Sequence, residues 1–187
     1  LKPIIRSTKE IDSIYVNKNL IDYHVFICHE DVEGLKGKNA EAYIKWGEEQ
    51  GFNLRPSCRS RSNWYDLGEQ DLYDFIMLRF RDKRNWTPII NEEIIIGDVV
   101  FIGRYYDRNI VDIGNAILNS TIQIMMTEIF GRVNLGEGLL TTYGPEIKIF
   151  PLVNPKIFIE EKEDLIEALN KLATRDVLTV HEEIRQE

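Results

Sequence analysis

The sequence predicts an α+β domain of mixed α/β character, a twisted mixed sheet with helices packed against it. Three observations carry that expectation. Short runs of β-formers stand at 23–28, 75–80 and 99–102. Apolar residues recur at helical spacing over 40–50, 110–130 and 161–172. The two kinds of segment interleave along the chain, without internal repeats or low-complexity stretches.

Tyr23-His24-Val25-Phe26-Ile27-Cys28 reads as a strand. Asn39 stands where a cap belongs for a helix from Ala40 to about Gln50, with Glu41 in its first turn and Gly51 as its stop. Ala42, Tyr43, Trp46 and Glu49 fall near one face of that helix. Gly47 weakens it by about 1 kcal/mol relative to Ala. Phe75 to Phe80 and Val99 to Ile102 read as buried strands, and Ile94-Ile95-Ile96 is a further apolar run closed by the turn signal Gly97-Asp98. Trp46 and Trp86 read as core.

Ile110 to Phe130 is the longest helix candidate, with Ile113, Ala116, Ile117, Ile124 and Met125 along one stripe and Gly131 at its end. Its many β-branched residues mean that packing, not propensity, must hold it. Residues 131–144 read as a glycine-rich loop interrupted by Leu139-Leu140. Ile147 to Val153 reads as a short strand, placed at an edge because Pro151 has no N–H to donate. Glu161 to Leu172 is an amphipathic helix on which Leu165, Ile166, Leu169 and Leu172 share a face.

A chain of 187 residues fits one domain with a small appendage, divided here as 1–155 and a helical, acidic extension over 156–187. Its 43% apolar and 29% charged residues are ordinary for a globular protein. No apolar run approaches the ~20 residues that span a bilayer. The first residues lack the apolar segment of a secretory signal, and a start at Leu1 reads as a piece cut from a longer protein. Cys28 and Cys58 do not make a disulfide framework and fit a reducing cytoplasm. His24, His29 and His181 have no metal-ligand spacing, so no metal is expected.

Acids outnumber bases, 31 Asp+Glu against 23 Lys+Arg. Against that background Arg55-Pro56-Ser57-Cys58-Arg59-Ser60-Arg61-Ser62-Asn63-Trp64-Tyr65 is a cationic and aromatic island, with no acid until Asp66. Arginine offers a planar fork of donors for phosphate oxygens or a guanine edge. Tryptophan and tyrosine offer faces for stacking. Two readings stay open on composition: a nucleic-acid contact, or core aromatics with arginines snorkelling from a surface loop. Arg79, Arg81, Lys83 and Arg84 form a second basic cluster, either a phosphate-positioning surface or a charged hairpin tip. At a net charge of −8, long-range steering of DNA would be repulsive, so any contact must be a local patch.

The sequence holds no dinucleotide fingerprint, no phosphate-binding Gly-x-x-x-x-Gly-Lys-Ser/Thr, no Gly-x-Ser-x-Gly elbow and no His-Glu-x-x-His. Glu146-Ile147-Lys148 resembles half of a metal-dependent nuclease site, for which Asp98 would be the partner acid on a neighbouring strand. The plainer reading is a solvated strand edge. A third possibility is a protein-interaction domain that uses the acidic tail over 159–187.

The order of residues adds a resemblance. Gly37-x-x-Ala40-x-x-Tyr43-Ile44-x-x-Gly47-Glu48, then Gly51, then Arg55-Pro56-Ser57-Cys58, then Arg61-x-x-Trp64-Tyr65-x-Leu67, resembles the C-terminal specificity region of TaqI-like adenine DNA methyltransferases and of fused restriction–modification enzymes. Ala116-Ile117-Leu118-Asn119-Ser120 resembles the family's "alLNS" helix, and Gly131-Arg132 followed by Gly136, Gly138 and Leu139 resembles its glycine loop. Leu1-Lys2-Pro3-Ile4-Ile5-Arg6 and Ile149-Phe150-Pro151-Leu152 are similar to the stretches that open and close that region.

The resemblance implies a target-recognition domain over 1–155, reading double-stranded DNA for a covalently linked N-terminal methyltransferase domain. That partner would bind S-adenosylmethionine and hold an Asn/Asp-Pro-Pro-Tyr/Phe motif. This sequence has no Pro-Pro pair, so the fragment itself is expected to be non-catalytic and to hold no cofactor. By position, Arg59 and Arg61 are implied as readers of base edges or phosphates, Arg55 as a loop or phosphate holder, and Trp64 and Tyr65 as loop buttresses among the DNA-binding residues, one of them open to DNA. Arg132 and Asn134 are a second implied contact. Arg79, Arg81, Lys83 and Arg84 are secondary candidates for the DNA backbone.

Overall fold

A computed structural model describes residues 1–81, 86–97, 100–133, 139–176, 178–179, 182 and 185. Strand β1 (Lys2–Ile5) lies at the centre of a three-stranded sheet. It runs antiparallel to β2 (His24–Val25), with Lys2 opposite Val25. Helices α1 (Asn39–Glu49) and α2 (Pro56–Arg59) follow. Next come β3 (Phe75–Met77), β4 (Phe80–Arg81) and β5 (Ile95–Ile96), the last pairing in parallel with β1 through Ile4–Ile95 and Ile5–Ile96. Strand β6 (Phe101–Gly103) is antiparallel to β3.

Helices α3 (Val111–Leu118) and α4 (Thr121–Phe130) precede β7 (Arg132–Val133) and β8 (Leu140–Thr141). These two strands form a third sheet with β4 in the order β4-β8-β7. Helices α5 (Gly144–Ile149) and α6 (Lys162–Ala173) complete the order. The α+β class stands. The single twisted sheet does not: among the described residues the strands form three small sheets.

The main core gathers Ile5, Ile14, Ile76, Trp86, Ile89 and Ile94 from the first two sheets and their connections, with Leu169 of α6. Leu165 and Leu172 pack against the same core, on the face that the helical spacing selects. A smaller core of Leu35, Ile44 and Tyr65 lies beneath the arginine–aromatic island, with Phe26, Cys28, Ala40 and Trp64 against it.

Five expected elements come out differently. The loop expected over 131–144 carries β7 and β8 and ends where α5 starts. The run 75–80 divides, because Phe75–Met77 pairs with β6 while Phe80–Arg81 pairs with β8. The helix expected over 110–130 breaks at Asn119–Ser120. There the Asn119 side chain turns back onto the Asn115 carbonyl, and Ser120 Oγ accepts the Gln123 N–H to start α4. The strand expected over 147–153 is instead α5: Pro145 stands in its first turn, where a missing N–H costs nothing, and Glu146 accepts the N–H of Tyr143 at 3.2 Å. Helix α1 is preceded by Lys38, not by an Asn39 cap; the Glu41 carboxylate reaches back to the Gly37 N–H at 2.7 Å.

Gly51 takes φ 74°, the left-handed conformation that ends the helix where the sequence places the stop. Trp86 is buried as expected, whereas Trp46 is 45% exposed. Val99, at the head of one expected strand, lies outside the described residues; Phe101–Gly103 carries that strand.

Candidate nucleic-acid interface

The left-handed Gly51 turns the chain out of α1 into one 3-10 turn over Phe52–Leu54. Pro56 then opens the short helix α2. So tight a path leaves little side-chain area to bury, and Arg55, Arg59 and Arg61 all stand exposed. The Arg55 guanidinium lies 4.5 Å from the centre of the Phe52 ring. Among the described residues Arg61 makes no ion pair or hydrogen bond through its side chain.

The two aromatics that close the island go the other way. Tyr65 is 6% exposed, packs in the small core with Leu35 and Ile44, and donates its hydroxyl to the Glu30 carbonyl at 2.9 Å. Burial raises its phenol above the ordinary range, with the Cys28 thiol and nearby acids adding to the shift. Trp64 stands edge-on to it at 5.9 Å and 83°, and its indole N–H donates to Glu48 Oε1 at 3.1 Å. Asp66 ends the island by accepting the Gly68 N–H and contacting His29 Nδ1, each at 2.8 Å. The Gly68 N–H, then His29, hold its carboxyl below the usual range.

Gly47 acquires a reason here. A Cβ at that position would stand 2.5 Å from Trp64 Cη2, so the indole seats directly on the α1 backbone. Gly47→Ala would gain about 1 kcal/mol of helix propensity. Against that gain stands an overpacking cost of about 1–3 kcal/mol. The expected outcome is a net loss of stability, read as a lower urea midpoint, with a shifted tryptophan emission. A gain in stability would mean that Trp64 does not rest on α1.

Beside the island a cleft of about 390 Å³ opens between α1, the β1–β2 edge and the segment 58–67. One wall is a chain of aromatic rings. Phe26 and Tyr43 are 4.9 Å apart, Tyr43 and Trp46 lie 5.5 Å apart at 28°, and Trp46 meets Phe52 edge-on at 5.5 Å. Arg6, His24, Cys58, Arg61 and Trp64 are among the other residues that line it. Arg6 is engaged with Glu10 at 3.6 Å and stacks on Tyr23.

The second basic cluster is organised differently. Arg81 is 3% exposed and donates to Thr142 Oγ1 at 3.1 Å. Burial pulls its guanidinium down to about 10. Pointing inward, Arg81 presents no surface to a phosphate, which corrects its place among the backbone candidates. Arg79 is half-buried between rings, its guanidinium 5.0 Å from Tyr143 and 5.2 Å from Phe80. Arg132 ion-pairs with Glu146 and lies 5.8 Å from Tyr143. Lys83, Arg84 and Asn134, with residues 135–138 of the glycine loop, lie outside the described residues.

The family defined by the C-terminal domain of the type II methyltransferase M.Eco57I matches residues 12–185. The chain belongs to this family. No curated protein sequence matches it significantly. The methyltransferase C-terminal domain expected from the ordered motifs is therefore the one found, and the match runs through the island, the Asn119–Ser120 break and helix α6.

Within this methyltransferase C-terminal domain the nuclease reading loses its basis. Glu146 sits in a helix rather than a strand, is 8% exposed, and is held by Arg132 and the Tyr143 N–H. Lys148 is exposed near the end of the same helix, and Asp98 lies outside the described residues. Among the described residues no three metal-ligating side chains converge, and no helix is long and apolar enough to cross a membrane.

The structure brings Arg61, Trp64 and Tyr65 to the same cleft, leaves Arg55 and Arg59 on the outer surface beside it, and sets Arg132 in an outer strand of the third sheet. Sequence reasoning missed the aromatic wall. Tyr43 and Trp46 are spaced i, i+3 and flanked by Lys45, Glu48 and Glu49, a pattern of an exposed helical stripe.

Proposed function

We propose that this chain is the sequence-recognition domain of an adenine-specific DNA methyltransferase or a fused restriction–modification enzyme. It grips double-stranded DNA and presents the target to a catalytic domain joined on its N-terminal side, which binds S-adenosylmethionine and works in the cytoplasm. Family membership supports the methyltransferase context. The observation that carries the DNA-reading role is the division of the island: Trp64 and Tyr65 anchor inward while Arg55, Arg59 and Arg61 project from a rigid turn.

That division suits recognition. A guanidinium fork must be presented from a fixed backbone to distinguish a guanine edge from its neighbours. Tyr65 and Trp64 fix the backbone; Arg59 reads, Arg61 reaches a base edge or a phosphate, and Arg55, stacked on Phe52, grips the sugar–phosphate chain. Arg132, Asn134, Arg79, Lys83 and Arg84 make a second, backbone-positioning contact. The linked domain supplies the remaining hold on DNA, which reconciles a net charge of −8 with a polyanionic ligand.

Arg61→Ala is expected to weaken duplex binding by about 1–3 kcal/mol and relax sequence preference if the arginine grips a base edge. If it grips a phosphate, affinity falls uniformly and the salt slope drops by about 1. Fluorescence anisotropy across a salt series separates the two. Unchanged affinity in both this chain and the whole enzyme removes Arg61 from the interface.

A further inference from the structure

We propose that the aromatic cleft beside α1 binds one unstacked nucleobase of the bound DNA, held by stacking, with Arg61 on the phosphate next to it. The inference rests on the DNA-recognition reading and specifies a site within it. Two large rings stand on one face of α1 without a cover among the described residues: Tyr43 is 50% and Trp46 45% exposed, nearly parallel at 28°. Core aromatics bury their faces, and exposed aromatic patches mark binding surfaces. The cleft, at about 390 Å³, lies in the lower part of the range for small-ligand sites, roughly 300–1,000 Å³.

The charge around the cleft selects the occupant. No Asp or Glu lines it, in a chain that carries 31 of them, while Arg6 and Arg61 do. An aromatic cage for an alkylammonium group would gain from carboxylates and lose from two guanidinium groups. A planar base joined to phosphate gains on both counts: its π-face matches the rings and its phosphate matches Arg61, whose side chain makes no direct ion pair among the described residues and whose charge is felt at longer range by Asp66. Arg6 is already engaged by Glu10, which leaves Arg61 as the phosphate ligand.

The test compares a fully paired duplex, the same duplex with a single-nucleotide bulge, and a single strand of the same sequence, by anisotropy and by quenching of tryptophan emission. The bulged duplex should bind about 5- to 150-fold more tightly than the paired one, the range of one base–aromatic stack, with quenching that the paired duplex does not give. Trp46→Ala and Trp46→Leu should both abolish that preference, while affinity for the paired duplex stays within about twofold. The leucine variant keeps apolar bulk and removes the π-face, so its agreement with alanine assigns the loss to stacking. Binding of the paired duplex with no bulge preference, or a preference that survives both variants, overturns the cleft assignment and leaves the recognition reading intact. Tight binding of the single strand alone, lost in both variants, supports the stacking site and counts against duplex reading. Failure to bind any of the three DNAs overturns both proposals.

Discussion

Replacing Tyr65 with alanine is expected to cost about 3–5 kcal/mol of stability, the range for deleting a buried aromatic side chain. Among the described residues the ring is one of three buried members of the small core, with Leu35 and Ile44, so its removal takes away a large share of that core. The variant also loses the hydroxyl's hydrogen bond to the Glu30 carbonyl. That bond alone is worth about 0.5–1.5 kcal/mol, which Tyr65→Phe isolates. Urea unfolding checks both through the midpoint at constant slope. Arg61→Ala should stay within about 0.5 kcal/mol of the parent in the same experiment, because its side chain is exposed. An unchanged midpoint for Tyr65→Ala would mean that the island is not anchored through this ring.

Asn119→Ala is expected to cost about 2–4 kcal/mol, through hydrogen bonds rather than packing. The side chain, 6% exposed, accepts the Thr87 N–H at 2.9 Å and donates to the Thr87 carbonyl at 3.0 Å and the Asn115 carbonyl at 3.1 Å. Thr87 is itself 5% exposed, so its N–H and C=O cannot turn to water when the amide is removed. Each stranded group costs about 1–3 kcal/mol. Thermal or urea unfolding measures the loss, and a cost below about 1 kcal/mol would show that Thr87 finds other partners. Asn119 thus ends α3 and ties it to the segment beside Trp86.

That residue also explains why residues 110–130 look like a single helix in the sequence. Apolar spacing continues across Asn119–Ser120, so periodicity alone reports one helix. The break is encoded by two polar side chains that bond to the backbone, Asn119 back to residue 115 and Ser120 forward to residue 123. Gly144-Pro145-Glu146 carries a comparable local signal, a proline and an acid at a helix start, which the apolar character of Ile147 to Val153 masks. The helices α1 and α6 and the Gly51 stop were legible because helical periodicity and a left-handed glycine are local properties. The division into three sheets was not, since strands of two to four residues carry almost no pattern of their own.

At the candidate site, Trp64 and Tyr65 turn inward, bonding to Glu48 and to the Glu30 carbonyl. The exposure of Trp46 does not agree with the core role that composition suggested. Tryptophan is usually buried, but whether a helical face is covered depends on what folds over it, and over Tyr43 and Trp46 an open cleft remains. Arg81 is the converse case: a basic residue in a cationic run that turns into the protein to meet Thr142.

Selection of duplexes from a random-sequence library, followed by affinities for the enriched site and its single-base variants, tests the central claim most directly. The account predicts that one short sequence is enriched, that individual base changes within it cost about 1–3 kcal/mol, and that Arg59→Ala flattens discrimination at one or more positions while leaving the protein folded. Binding that is indifferent to sequence in both this chain and the whole enzyme, or discrimination untouched by replacement of Arg55, Arg59 and Arg61, would contradict it.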